Sequence, residues 1–112
     1  MITRLSVRFT RRAARHVDEA GRWWHANRTK APGALREELA RALQLITTQP
    51  TAGASARNIR LAGVRRILLR RVNYHLYYRL VESPSRSIQV VALWHASRGD
   101  APELSRAAEQ AF

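Results

Sequence analysis

The side chains from which this sequence could build a reactive site are His16, His25, His75, His95 and a dense set of arginines. There is no cysteine. Disulfides, thiolate metal sites and thiol nucleophiles are therefore excluded, and the composition suits a reducing cytoplasm. The histidines fall in separate stretches with no pair at metal-ligand spacing, and no Gly-rich phosphate loop, Walker motif or Gly-x-Ser-x-Gly elbow is present. No metal and no cofactor is expected. Without a metal, His and Arg can still move protons and hold phosphate. Cleavage of RNA by its own 2′-hydroxyl needs only a base, an acid and cations for the phosphate.

The formal net charge is +12, and Lys30 is the only lysine among 20 basic residues. Codon bias in a GC-rich genome accounts for Arg in place of Lys. It does not account for the missing acids: between Glu38 and Glu82 there is none, while Arg41, Arg57, Arg60, Arg65, Arg66, Arg70, Arg71 and Arg79 fall inside the gap. Such a surface attracts phosphate backbones, anionic lipid or an acidic protein segment.

The elements that must position these groups follow from the apolar pattern. At 112 residues the chain is one domain, 1–112, large enough for a core without covalent staples. No apolar run is long enough for a secretion signal or a membrane span, so a cytoplasmic protein with no membrane partner is expected. Residues 2–9 alternate, with Leu5, Val7 and Phe9 on one side, as in a half-buried strand. Thr10 can cap a helix whose stripe is Ala13, Val17, Ala20 and Trp24, flanked by His16 and Trp23. After a break at 27–33, a second helix runs to about Thr48 with Leu35, Leu39, Ala42, Leu43 and Ile46 on one face. Pro50 ends it, and Glu37 stands four residues before Arg41 for a surface pair. Residues 51–63 read as a loop. Strand patterns then cover 64–71, 74–82 and 87–95, with links short enough for antiparallel hairpins. The last is apolar on both faces and so central; the first, bounded by Arg pairs, reads as an edge. The rest is a turn followed by a short helix or frayed tail.

The fold class expected is therefore α+β: an N-terminal strand, an αα-hairpin and a three-stranded antiparallel meander, with both helices on one face of a single sheet. If Ile67 and Leu69 face the helices, Arg66, Leu68 and Arg70 face out. The other face and the sheet edges are then left for function.

Three segments in order, Val64-Arg65-Arg66, Tyr77-Tyr78-Arg79 and His95-Ala96-Ser97-Arg98, resemble the RelE/ParE superfamily of bacterial toxins. Members carry an Arg opening the second strand, a Tyr-Tyr-Arg third strand and a His-x-x-Arg turn closing the fourth. The Trp near the end of the first helix and Pro50 after the second extend the likeness over nearly the whole chain. The resemblance implies a cytoplasmic, growth-arresting toxin of a plasmid-stabilising toxin–antitoxin pair. Its partner would be a cognate antitoxin whose acidic or amphipathic C-terminal segment wraps it.

Within the superfamily, ParE-like members poison DNA gyrase and RelE-like members cleave mRNA in the ribosome. On the nuclease reading Arg66, Arg79 and Arg98 hold the scissile phosphate and His95 moves a proton. Against that reading stand Phe112, where many nucleases place a Tyr, and the lack of Glu in the meander before Glu82 at the end of its second strand. A ParE-like gyrase inhibitor, not an enzyme, is favoured, with Arg65, Arg66, Arg70, Arg79, His95 and Arg98 as the surface for antitoxin or target. A plain basic nucleic-acid- or partner-binding module is the remaining alternative. Several of these residues also have structural readings: Arg79 bonded to the turn near Asp100, Trp94 in the core, and Arg70 and Arg71 guarding an edge strand.

Overall fold

The alternation around Leu5, Val7 and Phe9 resolves into a short strand, β1 (Ser6–Phe9), in a computed structural model that describes residues 4–57, 59–98 and 101–104. Thr10 then caps helix α1 (Arg11–Asn27), its hydroxyl accepting the Ala13 N–H at 3.0 Å. Ala13, Ala20 and Trp24 on the expected stripe are buried, and Val17 packs at its margin. The Trp24 indole N–H donates to Ala31 O at 2.7 Å and so ties the connecting turn to α1. Helix α2 (Ala34–Thr48) buries Leu35, Ala42 and Ile46.

Four strands follow: β2 (Ala54–Ser55), β3 (Arg65–Leu69), β4 (Tyr74–Val81) and β5 (Ser87–His95). They join β1 in one mixed five-stranded sheet of order β1-β5-β4-β3-β2, in which β1 runs parallel to β5 and the other pairs are antiparallel. β5 is central, as its apolar faces required. β3 is not the outermost strand, because two residues of the expected loop pair with Arg65 and Arg66 as β2. A two-residue strand has no alternation long enough to read from sequence.

A tight turn after α2 makes that pairing possible. Gly53 lies where any Cβ would come 2.7 Å from the Tyr78 hydroxyl and 2.8 Å from Arg66 O, so only glycine fits. The buried Tyr78 hydroxyl donates to Pro50 O and accepts the Gly53 N–H, both at 2.8 Å. Arg65 donates to Gly53 O from the other side. At the far end of β3 the hairpin link is four residues, 70–73, longer than the expected pair around Val72 and Asn73. Asn73 closes it at φ 59°, a left-handed conformation that Asn tolerates. α2 holds this turn: Glu37 pairs with Arg71 at 2.9 Å, and the buried Glu38 accepts the Arg71 N–H and a bond from Arg41. The expected Glu37–Arg41 pair is thus replaced by Glu38–Arg41, because Glu37 reaches the hairpin.

Both helices cover one face of the sheet, where Ile46, Leu69, Val72, Leu76, Tyr78, Ile88, Val90 and Leu93 meet the α1 stripe. The other face is not open. A second cluster of Leu61, Val64, Tyr77, Val91, Ala92 and Leu104 covers part of it, contributed by the 56–64 segment and by residues 101–104. A β-bulge makes that cluster possible. Tyr77 pairs with Ala92 and Tyr78 with Val90, leaving Val91 as the extra residue. The alternation of β5 inverts there, so Val90 and Leu93 face the helices while Val91 and Ala92 face away. Of the expected C-terminal tail, residues 101–104 pack on this second cluster; Phe112 and the tail from 105 onward lie outside the described residues.

Candidate functional site: a basic cleft on the outer face

Above the second cluster, at the end of the sheet that carries the β5 exit, is a cleft of about 650 Å³. Strand pairing builds it. The register sets Arg66 beside Tyr77 and Ala92, and Leu68 beside His75 and Trp94, along the face away from the helices. Arg66, His75, Tyr77 and Trp94 therefore line one wall. His95 and Arg98 line the rim where β5 leaves the sheet, Arg60 comes from the 56–64 segment, and Ala101 to Leu104 close the far side.

Three guanidinium groups dominate the electrostatics. Among the described residues the ion pairs are Arg22–Asp18, Arg41–Glu38, Arg71–Glu37 and Arg86–Glu82, so Arg60, Arg66 and Arg98 have no carboxylate partner. Glu103 is the one acid lining the cleft, exposed and unpaired among the described residues. The Arg98 guanidinium lies over Trp94, 3.8 Å from the ring centroid, a cation–π contact that holds it at the wall. Burial, reinforced by Arg66, lowers the His75 pKa below 6.5, so its imidazole is neutral at neutral pH. His95 Nδ1 accepts the Ser97 N–H at 3.2 Å, and its ring stands edge-on to Tyr74, centroids 5.0 Å apart. Burial raises the Tyr74 pKa, opposed by Arg98.

Of the six residues singled out from sequence, the cleft unites Arg66, His95 and Arg98. The other three lie elsewhere. Arg65 points to the helix side of β3 and bonds Gly53 O. Arg70 is exposed in the β3–β4 turn. Arg79 does not line the cleft; its Nε donates to Gln89 on β5 at 2.7 Å, and Asp100, its expected partner, lies outside the described residues. Sequence reasoning missed Arg60, His75 and Glu103. His75 was within reach, since it pairs with Leu68 once β3 and β4 are joined as a hairpin, and Leu68 had been placed facing out. Arg60 had no such signal, because its segment has no period. Trp94, expected in the core, is a partly exposed wall of the cleft.

A second concavity of about 690 Å³ lies on the helix side, with Val17, Trp24, Leu35 and Leu39 along it and Asp18, Arg22, His25 and Arg36 at its margins. Among the described residues no group of three His, Asp or Glu side chains could hold a metal, and no helix is long and apolar enough to cross a membrane.

A single sheet backed by two helices, with its Arg-bearing meander turned to the other face, is the architecture expected of a RelE/ParE superfamily toxin of the ParE-like branch. A family model described as the ParE toxin of type II toxin–antitoxin systems, parDE, matches residues 7–99, and the chain belongs to that family. Among solved structures it is similar in fold to a chain described as the chromosomal ParDE TA system from P. aeruginosa. The TM-score is 0.65 with 20% identity, covering 83% of this chain and 97% of that one. Among curated proteins no match is found.

Proposed function

We propose that the chain is the toxin of a ParE-type module, that it inhibits DNA gyrase in the cytoplasm, and that a cognate antitoxin with an acidic, amphipathic C-terminal segment neutralises it. The observation that carries the antitoxin half is the cleft: Arg60, Arg66 and Arg98 converge there with no carboxylate partner among the described residues. An acidic chain supplies what the fold withholds. The antitoxin's carboxylates meet these guanidiniums on the outer face, and apolar residues of a wrapping segment seat against Trp24, Leu35 and Leu39 in the helix-side groove. Arg65, Arg70 and Arg79, held away from the cleft, extend the basic surface on which antitoxin or target lies. Family membership supports the gyrase half.

The test is inhibition of supercoiling by purified gyrase at micromolar toxin, reversed by the product of the neighbouring short reading frame. Uninhibited supercoiling would remove gyrase as the target. One observation favours a second reading, ribosome-dependent mRNA cleavage: His75 and His95 line the same cleft as the three arginines, giving two proton-transfer groups beside phosphate-binding cations. Cleavage of ribosome-bound message that disappears in both His75→Ala and His95→Ala would establish it, and intact message with wild-type protein would dismiss it.

A further inference from the structure

His16 belongs to α1, yet it reaches the wall of the cleft through a single ring. β1 ends at Phe9, and the Thr10 N–H still donates to Val90 O. Beyond that point β5 has no strand neighbour on the β1 side among the described residues, and the Leu93 N–H donates instead to His16 Nδ1 at 3.2 Å. A ring nitrogen that accepts carries no proton, so this imidazole is neutral and holds its proton on Nε2. The same ring packs on Trp94 with centroids 5.7 Å apart, and Trp94 carries Arg98 on its face at 3.8 Å. Imidazole, indole and guanidinium thus form one continuous line of contacts from the helix to the cleft, the imidazole tilted 59° to the indole.

We propose that His16 is a positioning residue of the cleft: neutral, it fixes Trp94 and through it the Arg98 cation; protonated, it releases both, so that anion binding at the cleft depends on pH. This rests on the reading of the cleft as the docking site of an acidic chain. The groups facing His16 are Arg12, Arg15 and Glu19 on α1 and Arg98 from the β5 exit. Burial favours the neutral ring most, Glu19 opposes it next, and the three arginines then each favour it by less. Adding a proton turns the acceptor for Leu93 into a second donor facing an N–H. It also places a new positive charge close to Arg98. Both changes loosen the arrangement in the same direction.

The test uses the full chain, isotopically labelled, titrated from about pH 8 to about pH 5.5 with the Leu93 amide, Trp94 indole and Arg98 Nε–H signals followed by NMR. The three signals are expected to move together with one midpoint below 6.5, the reference value from which His16 is lowered. In His16→Asn, whose side-chain oxygen can accept without titrating, that shared transition disappears. Relative to His16→Asn, in which His75 still gains its proton, binding of a decaglutamate peptide by the wild type is expected to weaken about fivefold across the same interval, and in His16→Lys to be weak throughout. Independent or absent titration of the three signals in the wild type would overturn the proposal, and this result needs no variant to fold. Decaglutamate binding that is unaffected by Arg98→Ala would instead overturn the reading of the cleft, and the switch with it.

Discussion

The two faces of the sheet share strands but not tasks. Among the described residues, fourteen buried side chains form one core on the helix side, against six in the outer cluster. The helix-side elements are pinned by side-chain hydrogen bonds from Thr10, Trp24 and Tyr78, and the acids of α2 take up Arg41 and Arg71. Outside, a small apolar cluster supports a cleft whose three arginines form no ion pair among the described residues. Charge that lacks an internal partner contributes little to stability and much to association. The helix face holds the fold, and the outer face is free to present cations.

That contrast is sharpened first by deleting side chains on each side. Ile46→Ala, in the middle of the helix-side core, should cost about 2–5 kcal/mol in urea unfolding, because α2 cannot collapse onto the sheet to refill the space. Leu104→Ala removes a side chain equally hidden, 1% exposed, but from a short segment that can relax, so a cost of about 2 kcal/mol or less is expected. Equal losses at the two sites would break the contrast. Tyr78→Phe leaves the Gly53 N–H and Pro50 O without their partner and should cost about 1–3 kcal/mol, measured the same way. Arg66→Ala should change stability by less than about 0.5 kcal/mol while weakening an acidic ligand, since the residue has no ion pair to lose among the described residues.

The smallest effect is one of pH. His16 and His75 both have folded pKa values lowered from 6.5, each mainly by burial. The unfolded chain therefore binds these protons first as pH falls. Their contribution is complete above about 6.5 and is lost as pH drops through the lowered folded values. Urea midpoints of wild type and His16→Asn should coincide at pH 7.5 and separate near pH 5.5, with the variant less affected.

What the sequence made legible is what periodicity encodes. The Ala13–Val17–Ala20–Trp24 stripe, the Thr10 cap and the three long strands each repeat a pattern over several turns or residues, and each is found close to its expected place. The hidden features are set by single residues in tertiary context. The β2 pairing depends on one close approach at Gly53, and the second cluster on one extra residue at Val91 that inverts the face of β5. Half of the candidate site was visible for the same reason. Arg66, His95 and Arg98 belong to the strand motifs, whereas Arg60 and Glu103 arrive from segments without a period. That Arg79 bonds Gln89 rather than lining the cleft follows from the register between β4 and β5, which the separate strand patterns do not specify.

The central claim is that the outer face, not the helix face, supplies the charge that the antitoxin recognises. The most direct measurement is the affinity of the neighbouring-gene antitoxin for the wild-type chain and for the triple variant Arg60→Ala, Arg66→Ala, Arg98→Ala, with urea unfolding recorded on both. At about 1 kcal/mol for each exposed charge, the triple variant should bind about 100-fold more weakly, with an unchanged unfolding midpoint. An antitoxin that binds both proteins equally tightly would contradict the account.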